Sequence, residues 1–219
     1  MSKHILTILL LFISTFAVAQ SNTETFTDKR DGNTYNIITI GTQKWMGENL
    51  RFLPKVKNAD WGNEIDAFYY VYGNNTSKTK VAKSSANYAT YGVLYNWAAT
   101  KNACPTGWRL PSNEDWEKLE KAIGEKQLGS ALASKSENWA KGELRKSERW
   151  GKSGFNAYPA GYRDGNCFYA DEGTSTYFWT SEQTSDGYSY YRYIDSKETY
   201  FGLDHGSWEN GYSIRCVKD

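Results

Sequence analysis

An α+β domain is what this sequence predicts, and three observations carry the prediction. A well-capped amphipathic helix stands near the middle of the chain at 112–124. Segments with strand-like alternation lie before and after it, punctuated by Asp-Gly and Gly-Asn turn signals. No internal repeat and no heptad pattern competes with that reading.

The elements follow in order. Lys3 and His4, an apolar run from Ile5 to Val18 and an A-x-A site at Ala17-Val18-Ala19 predict a signal peptide over residues 1–19. The run is shorter than the ~20 residues that span a bilayer, and no other segment is as long. No retained membrane span is therefore expected, a retained anchor being the alternative. No cysteine follows closely enough to accept lipid. A secreted or cell-surface-associated protein, or a periplasmic one, is implied, with residues 20–219 forming a single domain.

After Asp31-Gly32, Thr34 to Ile40 alternates as a strand, and Gly41-Thr42 turns it into Gln43–Met46 as a hairpin. Residues 58–90 form a polar excursion centred on Gly73-Asn74-Asn75, with Phe68 to Tyr72 as a short strand. Val93 to Thr100 reads as a short helix placing Leu94, Trp97 and Ala98 inward. Ser112 caps the main helix with Asp115 as its capping-box partner; Trp116, Leu119 and Ile123 recur at helical spacing, and Gly124 ends it. Glu114 with Lys118 and Glu117 with Lys121 are i,i+4 pairs on its wet side. Leu128 to Ser134 adds a turn or two of helix. Phe155 to Arg163, Tyr177 to Ser181, Tyr188 to Ile194 and Tyr212 to Val217 read as strands, separated by Asp164-Gly165-Asn166 and Ser185-Asp186-Gly187.

Composition excludes several functions. The full chain carries a formal charge of +1; the leader contributes one lysine and no acid, so residues 20–219 are neutral and exert no global pull on nucleic acid or anionic membrane. Nine Trp and seventeen Tyr stand against two Met. Aromatic residues with polar tips serve a core or a wet binding surface equally well.

Three cysteines leave one over. Alternation places Tyr212, Ile214 and Cys216 on one face of the last strand, so Cys104–Cys216 is the expected bridge and Cys167 the free thiol; a bridge through Cys167 is the alternative.

Catalytic patterns are sparse. His205 alone follows the leader, beside Gly206-Ser207 in an expected turn, which excludes multi-histidine zinc sites and leaves a triad to that one residue. Gly151-Lys152-Ser153 fails as a phosphate loop because Lys146 stands where the first glycine belongs. The carboxylates Asp171, Glu172 and Glu182 leave a paired-acid glycosidase formally open. Asp164, Asn166, Asp171 and Glu172 could offer oxygens to a structural calcium, but the standard loop spacing is absent and no metal or cofactor is expected. Tyr188-Ser189-Tyr190-Tyr191-Arg192-Tyr193 carries rings on both faces of its strand, so one face could offer them to a flat ligand such as a glycan. Trp179 and Trp208 share that ambiguity between core and surface.

Several ordered motifs together carry a resemblance: Ile40 to Leu50, Tyr91 to Trp97, Cys104 to Pro111, Gly154-Phe155 with Pro159 to Arg163, Phe178 to Ser181, and Ser213 to Val217. The chain resembles the Fibrobacter succinogenes major paralogous domain family over nearly its whole length after the leader. That resemblance implies a C-type lectin-like fold: a mixed, mainly antiparallel sheet, two central helices and a long loop region, with the N-terminal hairpin and terminal strand near each other. It implies an exported bacterial protein without an established activity.

The second likeness is to the formylglycine-generating enzymes. Trp108 to Ser112 leading into Glu114 and Trp116, and Gly206-Ser207-Trp208 before Arg215-Cys216, are similar to segments of that family. Its oxidase chemistry needs a copper-holding cysteine pair near the C-terminal segment. Here Glu209 and Asn210 follow Trp208 and only Cys216 lies beyond, so no enzyme is expected.

These resemblances imply a non-catalytic binding module for a cell-surface or extracellular glycan, presented by loops between Ala160 and Tyr190 through Arg163, Asp164, Asn166, Tyr169, Asp171 and Glu172. An adhesion or structural protein contacting a protein partner, and a carboxylate-dependent glycoside-acting enzyme, are the alternatives.

Overall fold

The computed structural model describes residues 24–185 and 187–219. The expected leader and its cleavage site lie outside the described residues, as does Asp186 of the expected 185–187 turn.

The described chain is mostly β-sheet with few helices. β1 (Thr25–Thr27), β2 (Thr34–Ile40) and β3 (Gln43–Met46) open it. β4 (Tyr69–Tyr70), α1 (Thr79–Lys83), α2 (Ala86–Tyr91), β5 (Leu94–Tyr95) and α3 (Trp97–Thr100) follow. β6 (Trp108–Arg109) leads into α4 (Asn113–Ile123), α5 (Leu128–Leu132) and α6 (Glu143–Lys146). Then come β7 (Ala160–Arg163), β8 (Tyr169–Glu172), β9 (Ser175–Ser185), β10 (Tyr188–Asp195), β11 (Gly202–Ser207) and β12 (Val217–Lys218).

Sheet one has the order β1-β2-β3-β12-β6 and is antiparallel throughout. Sheet two has the order β11-β10-β9-β7-β8, antiparallel except where β7 runs parallel to β9 at Gly161↔Thr176. β4 and β5 form a separate pair.

The hairpin β2–β3 forms as its alternation requires. Ile40 pairs with Gln43, and Gly41 takes the left-handed conformation (φ 60°) that a two-residue turn needs. A Cβ on Gly41 would stand 2.8 Å from Ala122 Cβ, so the turn also packs directly on α4.

At the start of α4, Ser112 Oγ accepts from the Asp115 N–H at 3.1 Å while Asp115 Oδ2 accepts from the Ser112 N–H at 2.8 Å. Arg109 adds a two-pronged guanidinium contact to the same carboxylate. Burial pushes the Asp115 pKa up, but Arg109 and Ser112 outweigh it and hold the carboxyl at about 2.

α4 lies between the two sheets. Its Trp116 and Leu119 join Ile40 and Trp45 of sheet one and Phe178 and Ile194 of sheet two in one apolar cluster. Tyr35, Met46, Tyr95, Trp97, Trp179, Tyr212 and Ile214 build a second. The Cys104–Cys216 bridge lies in that second core, with Cα atoms 5.9 Å apart, and closes a separation of 112 residues. Chain-entropy reasoning gives such a loop about 4–5 kcal/mol of stabilisation. Cys167 is free.

Two motif arginines are internal ties. Arg215 is buried without a carboxylate partner among the described residues. It donates to Asn49 Oδ1 (2.7 Å), Phe155 O (2.5 Å) and Met46 O (3.2 Å), with the Phe155 ring 4.4 Å from its guanidinium carbon. Burial lowers its pKa to about 9 and leaves it charged at neutral pH. Arg163, 0% exposed, plays the same part near residues 59 and 209.

Several expectations are corrected. Six helices are present among the described residues rather than two, and only α4 is long. α1 and α2 occupy the polar excursion. The segment Val93 to Thr100 divides into β5, paired with β4, and α3, which buries Ala99 rather than Ala98. Of Phe155 to Arg163 only β7 is strand. Asn156 is left-handed (φ 55°), Pro159 has no N–H to give, and Ala157 makes one isolated bridge to Ala133.

Only β12 of the expected terminal strand is regular; Tyr212 and Ser213 instead make single bridges to Tyr95 and Phe178 and are buried. The expected loop region between Ala160 and Tyr190 is largely strand, β7 to β10. His205 belongs to β11 rather than a turn, its residue pairing with Tyr190.

Candidate binding face

β9 and β10 are the long strands of sheet two, registered by Tyr177↔Tyr193 and Trp179↔Tyr191. Alternation sends these four side chains to one face, and Phe178, Arg192 and Ile194 to the other, toward α4. β7 brings Tyr162 to within 5.0 Å of Tyr177, centroid to centroid. The β10–β11 connection places Tyr200 6.0 Å from Tyr193. Tyr212 closes the cluster at 4.7 Å from Tyr191 and 5.3 Å from Tyr177.

The cluster has a floor and a rim. Trp179 and Tyr212 are the buried floor, the indole N–H of Trp179 donating to Tyr95 O at 2.7 Å. Tyr162, Tyr177, Tyr191 and Tyr193 are half-buried and Tyr200 is exposed. Tyrosine suits this position because its ring packs on the floor while its hydroxyl reaches water. Tyr193 lies over Gly202 of the neighbouring strand, where a Cβ would come within 2.1 Å of its ring.

The Tyr177 hydroxyl donates to Asp171 Oδ2 at 2.7 Å, and the Tyr193 and Tyr200 hydroxyls share a hydrogen bond of 3.1 Å. Burial and then Asp171 push the Tyr177 pKa up; burial and then Asp204 do the same to Tyr191. The bond to Tyr200, with burial second, raises Tyr193 to about 12. These groups are phenols at neutral pH and so remain O–H donors. Asp171 and Asp204 are exposed carboxylates beside them and accept only. The face therefore combines ring surfaces, hydroxyl donors and carboxylate acceptors, a set that matches a polyhydroxylated, uncharged ligand.

The residues expected at the ligand surface divide. Asp171 reaches the tyrosine face, held in the left-handed conformation (φ 64°), and Glu172 is exposed next to it. Tyr169 packs its ring 5.1 Å from Tyr72, away from that face. Asp164 and Asn166 lie in the β7–β8 turn, where Asp164 Oδ1 accepts from the Phe168 N–H at 2.8 Å.

Arg163 is a correction. Its guanidinium is enclosed and spends its donors on Ala59 O, Glu209 O and Cys167 Sγ, so it is a structural tie and not a surface group. The four residues considered for calcium do not converge. Arg163↔Tyr169 and Ala160↔Glu172 put Asp164 and Glu172 at opposite ends of the hairpin. Among the described residues no three His, Cys, Asp or Glu side chains are grouped to hold a metal. Glu182 accepts from the Asn113 N–H at 2.9 Å, at the start of α4, and does not face Asp171.

Sequence reasoning singled out Tyr191 and Tyr193 but missed Tyr162, Tyr177 and Tyr200 as their neighbours. The signal was the alternation of rings on β10, and the missing part was which strands lie beside it. Trp208 is half-buried, with its indole N–H on Ser189 Oγ at 2.8 Å.

No curated protein and no solved structure matches the chain. The model of the Fibrobacter succinogenes major domain matches residues 38–218, from the β2–β3 hairpin through the buried arginines and the bridge to β12. The chain belongs to the Fibrobacter succinogenes major domain family.

Proposed function

We propose that this protein is an exported, non-catalytic binding module with a C-type lectin-like fold that recognises an extracellular or cell-surface glycan through the tyrosine face of sheet two. The observation that carries this is the continuous row Tyr162, Tyr177, Tyr193 and Tyr200, edged by Asp171 and Asp204. Support for the fold comes from the N-terminal hairpin and terminal strand sharing sheet one, from the Cys104–Cys216 bridge tying the segment before β6 to the terminal strand, and from α4 packed beneath a second sheet.

A sugar ring covering ~40 Å² of a tyrosine face gains roughly 1 kcal/mol, so several such contacts with hydroxyl–carboxylate bonds reach useful affinity. The end pairs of the row are tilted, 61° between Tyr162 and Tyr177 and 81° between Tyr193 and Tyr200, while Tyr177 and Tyr193 lie 29° apart, so the row is not one plane and suits a single chain more than a flat crystalline surface.

The test is binding of residues 20–219, bridge intact, to a panel of soluble polysaccharides and glycans, with calcium and with chelator, while released sugar is measured. Saturable binding without release, lost on Tyr177→Ala with Tyr193→Ala, is expected. Released sugar, or binding indifferent to those changes, would overturn the proposal.

A further inference from the structure

A second surface lies at the other end of sheet two from Tyr200, and it does not depend on the glycan reading. The buried guanidinium of Arg163 gathers three loops there, donating to Ala59 O at 2.7 Å, Cys167 Sγ at 3.1 Å and Glu209 O at 3.1 Å. Further bonds fix the loop over 59–66. The Tyr70 hydroxyl donates to Trp61 O at 2.8 Å. Asn63 Oδ1 accepts from the Ile65 and Asp66 N–H groups, and Asn96 Nδ2 donates to Asn63 O and Asp66 O.

On this frame three large apolar side chains face water: Trp61 is 60% exposed, Ile65 88% and Phe168 68%. Exposed apolar side chains gathered into a patch and rimmed by polar residues mark contact surfaces. The same loops carry the carboxylates Asp60, Glu64, Asp66, Asp164 and Glu209, with Lys57 just before the first of them. The Lys57 ammonium stands 5.6 Å from the Trp61 ring centroid, so that indole face already receives a cation.

We propose that this loop face docks a protein segment that is both apolar and basic. The apolar side chains supply burial, and the acidic surround selects cationic partners and repels anionic lipid and acidic polysaccharide.

The experiment is calorimetric titration of residues 20–219, bridge intact, with a synthetic peptide of alternating lysine and leucine. Lysine–glycine and glutamate–leucine peptides of the same length, and phosphatidylcholine vesicles, serve as comparisons. The lysine–leucine peptide is expected to bind, at least tenfold more tightly than either comparison peptide and more weakly at high salt. Trp61→Ser with Phe168→Ser should reduce that binding at least tenfold without moving the melting temperature, since both side chains are exposed. Absence of binding, equal binding by the serine variant, or equal binding of the glutamate–leucine peptide would overturn the proposal. Vesicle binding lost in the serine variant, with peptide binding kept, would assign the face to a membrane and overturn it as well.

Discussion

The Tyr177 hydroxyl donates to Asp171 Oδ2 across 2.7 Å, joining the start of β9 to the end of β8 beside the tyrosine face. Asp171 is left-handed, a conformation that asparagine shares readily and β-branched residues do not. Asp171→Asn should therefore keep the backbone and remove the charge. Glycan binding is expected to weaken about three- to tenfold, with the urea midpoint within experimental error of the parent. A variant that binds as tightly would remove Asp171 from the site.

Arg215 is expected to behave as a structural cation. Lysine's single ammonium cannot serve Asn49, Phe155 and Met46 together as a planar guanidinium does. Arg215→Lys should cost about 2–4 kcal/mol in urea unfolding, because carbonyls and a charge are left imperfectly paired inside the core. An unchanged midpoint would contradict this arrangement.

Asp115 sets an acid limb. Its folded pKa, held at about 2, lies below the ~3.9 of an unfolded aspartate. The unfolded chain therefore binds the proton first as pH falls. The stabilisation is complete above about pH 4 and is lost as pH drops through about 2. After allowance for solvent screening it amounts to about 1–2 kcal/mol. Asp115→Asn should lower the midpoint at pH 7 and flatten the stability profile between about pH 4 and 2. Parallel profiles for the two proteins would show that the carboxylate is not the source.

What was legible in the sequence was local. The capping box at Ser112 and Asp115 lies within four residues, and the hairpin at Gly41-Thr42 is fixed by its own turn. β11 was not legible. Gly202, Asp204, His205 and Gly206 have little strand preference and are held extended by pairing with β10. The Tyr212 to Cys216 segment alternates like a strand but is buried on both sides, drawn in by Tyr95, Phe178 and the Arg215 contacts. The tyrosine face was hidden for the same reason: its rings come from β7, β9, β10 and residue 200. Only strand order brings them together.

Gly202 ties the fold to the face. It stands opposite Tyr193 across the β10–β11 pair, and its missing side chain is what lets that ring lie down over β11 toward Tyr200. A Cβ there would come within 2.1 Å of the ring, far inside contact distance, yet the clash is with the outer part of a side chain that can rotate away. Gly202→Ala should therefore cost only about 1 kcal/mol in stability, or less, while displacing Tyr193 and breaking its bond to the Tyr200 hydroxyl. Glycan affinity is expected to fall about five- to tenfold, close to the effect of Tyr193→Ala, and combining the two changes should add little further. Additive losses would mean that Gly202 acts on the strand and not through Tyr193.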